Sequence, residues 1–189
     1  MSVTAIEAIE RRRTIRQYDP DYVIPKEIMD KIMNAAQLSP TGRDKQGQDY
    51  IVVTNKEKLD KLEKIILECL PENDFKRYFI RRRERHGVKN VVTCDAPCVV
   101  LLVKNGRYDK QWIEIDSGMA AMSIIIAAQN YGIESMCLGV VAMDCTREKC
   151  EELFGLPKDS MIVAVALGKP RGELKLHEKV IKSKVIYDK

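Results

Sequence analysis

The sequence predicts one domain of the α+β class, with a central mixed sheet flanked by helices. Most of the chain carries apolar residues at helical spacing, and four short apolar runs between them predict strands. One long segment around Ile124 is apolar on nearly every side, which indicates a helix buried at the centre of the fold or in a subunit interface. The 189 residues suffice for one sizeable core.

The first half of the chain alternates helices with extended segments. Ile6, Ala8 and Ile9 mark an amphipathic helix, and a β-like stretch follows it. Pro25 suits a first helical position, and the proline and glycine of 39–42 end that helix. In chain order we predict an opening helix, a β-like stretch at 14–18, a helix at 25–38, a strand at 50–53 and an amphipathic helix at 56–70.

The second half is organised around the long apolar helix. Gly132 suits the C-cap of this helix, and Thr146 suits the N-cap of the next one, which Gly155 and Pro157 close. In order we predict a strand at 97–103, a helix at 112–131, a strand at 135–141, a helix at 146–154 and a strand at 161–167.

Two segments lie outside this pattern. Residues 72–90 are polar and irregular, and they contain five basic side chains between Arg81 and His86. They form either a lid over a phosphate or substrate, or a solvated helix face closed by Gly87, and we favour the solvated face. Residues 173–189 follow the last predicted strand as a C-terminal extension of the single domain, 1–189.

Composition excludes several classes of function. A net charge of +4 and an aromatic content of 6% argue against a nucleic-acid partner. The longest apolar run, at 123–128, is too short to cross a membrane. The start of the chain runs directly into a charged helix, so we expect no signal peptide and a cytoplasmic location. Six cysteines in such a setting are expected as packed thiols, and with only two histidines we expect no metal site.

Two basic clusters point to an anionic ligand. The first is Arg11-Arg12-Arg13-Thr14-Ile15-Arg16, and the second is Lys169-Pro170-Arg171 after the last apolar run. Guanidinium groups bind phosphate bidentately and keep their charge when partly buried. If the fold brings the clusters together, they make a pocket for a small phosphorylated ligand.

These clusters belong to a larger pattern of four ordered segments. Between them lie 39–46, followed by a strand, and the buried helix with the turn at Leu138-Gly139. In order, spacing and length, residues 5 to 172 resemble the nitroreductase family of FMN-dependent flavoproteins. The resemblance implies a nitroreductase-like fold and a homodimer with FMN sites at its interface.

The first segment matches the family's arginine motif at Arg12, Thr14 and Arg16. The resemblance implies that Arg12 contacts the FMN phosphate and that Arg16 lies near N1 and O2 of the ring. A cation there stabilises the reduced, anionic flavin. Arg13 lies within the motif and is counted among the candidate contacts, although Arg11 and Arg13 are expected at the surface.

The other segments supply the remaining candidate contacts. In the family, the loop at 40–46 reaches the flavin of the partner subunit, the glycine turn offers a backbone amide to flavin N5, and the last segment grips the phosphate. Asp44, Gly47 and Gln48 depart from the family's asparagine, proline and tryptophan, which puts the loop's flavin contact in doubt. The residues so implied are Pro40, Thr41, Gly42, Asp44, Gln46, Leu138, Gly139, Lys169 and Arg171.

The resemblance implies an FMN-dependent oxidoreductase in which NADH or NADPH reduces the flavin and a nitroaromatic, quinone or similar small acceptor reoxidises it. The sequence contains no glycine-rich dinucleotide-binding fingerprint. This fits a nicotinamide nucleotide that binds only briefly and needs no Rossmann site of its own. No side chain is required as a catalytic nucleophile, because the cofactor carries the chemistry. The alternatives are a flavoprotein of the same fold with dehalogenating or flavin-fragmenting chemistry, a flavin carrier without turnover, and, least favoured, a nucleic-acid binder using 81–85.

Overall fold

The structure, a computed structural model, describes residues 3–174 and 178–188. Its helices are α1 (Ala5–Arg11), α2 (Lys26–Gln37), α3 (Lys56–Cys69), α4 (Asp74–Ile80), α5 (Arg82–His86), α6 (Ile113–Gln129) and α7 (Arg147–Phe154). Its strands are β1 (Gln48–Val53), β2 (Cys98–Lys104), β3 (Glu134–Leu138) and β4 (Met161–Gly168). Two 3-10 turns cover Gly42–Asp44 and Gly139–Ala142.

The strands form one sheet in the order β1-β2-β4-β3, which confirms the α+β class. All three strand pairs are antiparallel. A mixed sheet was predicted, which would also contain parallel pairing. Within the described ranges, the parallel pairing is limited to an isolated bridge between Thr14 and Ser135. The predicted β-like stretch at 14–18 is thus bound to the sheet by isolated bridges and forms no full strand.

Helices cover both faces of the sheet, because β2 and β4 are apolar on both sides. The face built on Val100 and Leu102 packs against α2 and α6 through Ile32 and Ile124. The opposite face packs against α3 through Leu62. Of the side chains on α6, Ile124 is fully buried, whereas Ile115 is 56% exposed. The long buried helix is therefore confirmed, and it retains apolar side chains on its outer surface.

Two local predictions were right only in part. The strand predicted at 135–141 ends at Leu138, and the chain then turns through a 3-10 segment that begins at Gly139. Thr146 occupies the N-cap position of α7 as predicted, but its side chain does not bond to the amides of the helix. Its hydroxyl instead donates to the carbonyls of Val140 and Met143, so it fastens the 3-10 segment to α7.

The polar segment at 72–90 contains α4 and α5. Gly87 follows α5 with φ +62°, in the left-handed region that glycine adopts without strain, so the predicted glycine stop is confirmed. The solvated face is also present, since Arg81, Arg83 and Arg85 are exposed. Arg82 departs from it, because its side chain is buried against Phe79.

Three of the cysteines are packed thiols, as expected. Burial raises the pKa of Cys94 to about 11, and of Cys98 and Cys150 to about 12, so these thiols are neutral at pH 7. Cys137 and Cys145 are instead exposed. Across the described ranges there is no cluster of three potential metal ligands. In the same ranges no helix combines the length and apolarity needed to cross a membrane.

Candidate active site

The segment after α1 joins the two basic clusters at one end of the sheet. The Ile15 amide donates to the Ser135 carbonyl at the start of β3, over 3.2 Å. The Asp19 amide donates to the Lys169 carbonyl at 2.9 Å, and the Arg171 amide donates to the Gln17 carbonyl at 3.1 Å. Because β3 begins where β4 ends, these bonds place both clusters around the same edge of the fold.

Two arginines of this edge lack counter-ions. Arg12 and Arg16 are half-buried, and neither forms an ion pair with any residue in the described ranges. Nε of Arg16 is buried and has no hydrogen-bond partner among the residues that the structure describes. Arg12 is close enough to Cys137 that its charge partly offsets the rise in that thiol's pKa caused by burial. A buried, unpaired guanidinium NH is costly, so this edge is suited to an anion.

The second cluster is partly engaged by the protein itself. Lys169 is exposed, and its Nζ lies 4.9 Å from the ring centroid of Tyr22. Nη2 of Arg171 donates to the carbonyls of His86 and Gly87 at 3.1 and 2.8 Å. Lys169 thus supplies an exposed positive charge, whereas Arg171 connects the site to the end of α5.

Arg13 and Thr14 contribute differently from Arg12. The Arg13 guanidinium turns back to the end of α1, where Nη1 donates to the carbonyls of Glu10 and Arg12 at 2.7 and 2.9 Å. It thereby satisfies carbonyls that the helix leaves open. Thr14 is exposed beside β3, where it bridges Ser135. Arg13 as a ligand contact stays a prediction.

The glycine turn lies further along β3. Leu138 is buried at the end of the strand, and Gly139 is exposed at the start of the 3-10 segment. A Cβ placed on Gly139 would meet no atom within 4 Å, so the backbone there faces open space. From Glu134 to Leu138 the strand covers about 14 Å, so the turn and the basic edge could contact different parts of one extended ligand.

The loop at 40–46 lies at the far end of the sheet. It leads into Gln48 on β1, which pairs with Lys104 on β2, whereas Cys98 at the other end of β2 pairs with Leu167 beside the basic edge. The strand from Lys104 back to Cys98 spans about 20 Å. Within one chain, therefore, the predicted loop contacts are not brought to Arg12 and Arg16.

The loop has a defined shape of its own. Both oxygens of the buried Asp116 carboxylate accept from the Gly42 amide, at 3.1 and 3.2 Å. Thr41 Oγ1 accepts from the Gln46 amide, and Gln46 Nε2 donates to Asp44 Oδ1 at 3.0 Å. The Asp44 carboxylate is thus held within the loop by the side-chain amide of Gln46. Pro40 and Asp44 remain exposed at the surface of the loop.

Sequence reasoning missed two buried polar residues beside this site. Arg82 donates from Nη1 to Cys94 Sγ at 3.9 Å, and the Tyr18 amide donates to the Cys94 carbonyl at 3.1 Å. The Tyr18 hydroxyl is buried without a partner, and burial raises its pKa far above the usual value. Helical spacing could have indicated Arg82, because it follows Phe79 by three residues and Tyr78 by four.

The fold and site define an α+β protein with basic residues gathered at one edge of its sheet, and comparisons with known proteins identify the class. The profile described as Nitroreductase family matches residues 9–169. The chain therefore belongs to the nitroreductase family and is an oxidoreductase. A putative NADH dehydrogenase/NAD(P)H nitroreductase of Archaeoglobus fulgidus is 29% identical over 92% of this chain and 89% of its own. One with the same description from Methanothermobacter thermautotrophicus is 28% identical, covering 81% and 70%.

Solved structures agree with this assignment. A nitroreductase with bound FMN from Bacteroides fragilis superposes with a TM-score of 0.80 at 25% identity, over 98% of each chain. A nitroreductase with bound FMN from Desulfitobacterium hafniense superposes with a TM-score of 0.79 over the full length of both chains. At 23% identity, this second structure supports the fold alone.

Proposed function

We propose that the chain binds FMN and uses NADH or NADPH to reduce nitroaromatics, quinones or similar electron-poor acceptors. The observation that carries this proposal is the pair of uncompensated arginines, Arg12 and Arg16, at the edge where Lys169 also lies. FMN bound there supplies a ring atom, N5, that accepts a hydride and passes it on. The FMN bound to the Bacteroides fragilis relative, whose fold this chain shares, supports the assignment.

The chain's own residues bind and orient the cofactor. Arg12 and Lys169 would neutralise the phosphate, one with a planar fork and the other with a point charge. Arg16 would direct its free Nε to the electronegative edge of the ring, where it stabilises added negative charge. The exposed backbone at Gly139 would leave room for the ring beside β3.

We further propose that the site is completed by a second subunit. The loop at 40–46 holds a rigid shape at the far end of the sheet, so it could complete the site of a partner but not its own. Apolar side chains are exposed on α1 and α6, including Ile6 at 65%. The C-terminal extension adds Val180, Ile181, Val185, Ile186 and Tyr187, all at least 75% exposed. In this arrangement the chain acts as one domain, with the described part of the C-terminal extension, 178–188, as an arm across the partner and 72–90 beside the cofactor.

Replacing Val185 and Ile186 with serine is expected to weaken dimerisation at least about 100-fold, since each buried aliphatic side chain contributes about 1.5 to 3 kcal/mol. The dimer dissociation constant, measured by sedimentation, checks this. Serine at Lys182 and Lys184 is the matched control and should leave the constant nearly unchanged. A wild-type protein that sediments as a monomer at all concentrations would contradict the two-subunit site.

The oxidoreductase proposal is tested by anaerobic half-reactions on the FMN-loaded protein. NADH or NADPH should bleach the flavin absorbance, and a nitroaromatic or quinone should restore it with consumption of one nicotinamide per hydride transferred. Tight FMN binding with negligible bleaching would instead indicate a carrier. Bleaching without reoxidation by any such acceptor would indicate a different chemistry on the same fold.

A further inference from the structure

We propose that Arg82 supplies a second positive charge behind Arg16 and thereby raises the reduction potential of the bound flavin. This inference rests on the proposed FMN site. Arg82 lies in the 72–90 segment and is not part of the arginine motif formed by Arg12, Thr14 and Arg16. Arg82 would act on the ring through space, without touching it.

The environment of Arg82 is unusual for a cation. The residue is 6% exposed, and its guanidinium carbon lies 4.1 Å from the ring centroid of Phe79 and 4.9 Å from that of Tyr78. Nη1 donates to the Val91 carbonyl at 3.0 Å, whereas Nε is buried without a partner. Over the described ranges no carboxylate oxygen lies within 4.0 Å of it. Aromatic faces and one carbonyl compensate a buried charge only in part.

Arg82 and Arg16 act on the same neighbour. The Cys94 thiol accepts a hydrogen bond from Arg82 and lies within the electrostatic field of Arg16. His86 on α5 also lies within the field of both arginines. The two guanidinium groups are therefore part of one local cluster, with Arg82 on the α5 side and Arg16 on the side of the proposed ring.

The titratable groups around this cluster do not cancel its charge. Burial keeps the Cys94 thiol and the Tyr18 phenol protonated and neutral. Burial and the neighbouring arginines lower the pKa of His86, so it is neutral as well. Of the nearby carboxylates, Asp95 lies 4.0 Å from Arg171 and Glu63 lies 3.7 Å from Arg83, so each faces a cation other than Arg82 and Arg16. Burial raises the pKa of Glu134, the carboxyl that acts on Tyr18, which lowers its tendency to carry a negative charge. A positive field therefore remains at the edge where Arg16 meets the proposed ligand.

Such a field favours the reduced cofactor. A hydride taken from NAD(P)H carries two electrons and one proton, so it leaves NAD(P)⁺ in solution and one added negative charge beside Arg16. Where the effective dielectric constant is about 20, the interaction of that charge with a cation is about four times stronger at each distance than in water, so a cation that does not touch the ring still contributes. Removing the Arg82 charge should therefore weaken binding of the reduced flavin more than binding of the oxidised flavin.

The test is the midpoint potential of the bound flavin, measured by spectroelectrochemical titration of the FMN-loaded protein. Arg82→Met keeps an apolar stem against the aromatic rings and should favour the reduced form about tenfold less, which lowers the two-electron potential by about 30 mV. Arg82→Lys should retain most of the wild-type potential. Arg81→Met removes an exposed charge from the neighbouring position and should leave the potential unchanged.

The outcomes separate this inference from the proposed function. If every variant binds FMN and Arg82→Met keeps the wild-type potential, the role of Arg82 is overturned and the FMN site stands. If the wild-type protein binds no FMN, the proposed function itself fails. Should Arg82→Met not fold, Arg82→Gln retains a donor for the Val91 carbonyl, lacks the charge, and is expected to show the same fall.

Discussion

Replacing Arg12 with alanine is expected to weaken FMN binding about 50-fold while leaving riboflavin binding nearly unchanged. A charge-assisted hydrogen bond contributes about 1.5 to 3 kcal/mol, and Arg12 has no competing ion pair in the described ranges. Riboflavin lacks the phosphate, so its affinity reports on the ring contacts alone. Fluorescence titration of both ligands measures the two affinities.

The control for this experiment is the adjacent residue. Arg11 is exposed in the last turn of α1, and Arg11→Ala removes the same charge from the same region. It should change FMN affinity by less than about threefold, because an exposed charge is screened by solvent. Equal losses for Arg11→Ala and Arg12→Ala, or a parallel loss of riboflavin binding, would contradict direct phosphate contact by Arg12.

Replacing Gly47 with alanine is expected to destabilise the fold by about 2 kcal/mol. A Cβ at this position would lie 2.4 Å from the Tyr108 Cα, and backbone cannot give way as a flexible side chain does. The free energy of unfolding in urea measures the effect. Gly118→Ala is the matched control, because a Cβ there meets nothing within 4 Å and alanine favours a helix interior by about 1 kcal/mol over glycine.

If Gly47→Ala is as stable as the wild type, the close packing of Tyr108 on the loop is wrong. The same packing explains why the chain departs from the family's proline at this position, since proline also carries a Cβ. The Asn105 amide donates to the Gly47 carbonyl at 3.0 Å, which holds the two segments together. The departure at position 47 is thus accommodated by the loop that contains Tyr108.

Regular elements could be predicted from the sequence because their signals are local. The apolar spacing in 56–70 predicted α3 within one residue of its end, and the apolar run at 97–103 predicted β2 within one residue at each end. The turn at Leu138-Gly139 was expected, but the predicted strand ran on to 141 because Val140 and Val141 continue the apolar run and also favour a strand. Its 3-10 form depends on Thr146, a contact between segments that local pattern does not reveal.

The candidate site could be predicted only in part, because only some of its signals are local in the sequence. The two basic clusters are visible in the sequence, but their meeting depends on the strand order that places β3 beside β4. The burial of Arg82 depends on the packing of α4 and α5 over Val91, so the sequence showed only one arginine among several. The anchoring of Gly42 by Asp116 joins positions 74 residues apart and has no local signal.

The central claim is that uncompensated cations at the sheet edge hold FMN by its phosphate. Calorimetric titration of the purified protein with FMN and then with riboflavin tests this most directly. We expect one FMN per subunit, bound at least about 100-fold more tightly than riboflavin, since several charge-assisted hydrogen bonds to the phosphate are lost with riboflavin. Absence of FMN binding, or equal affinity for the two ligands, would contradict it.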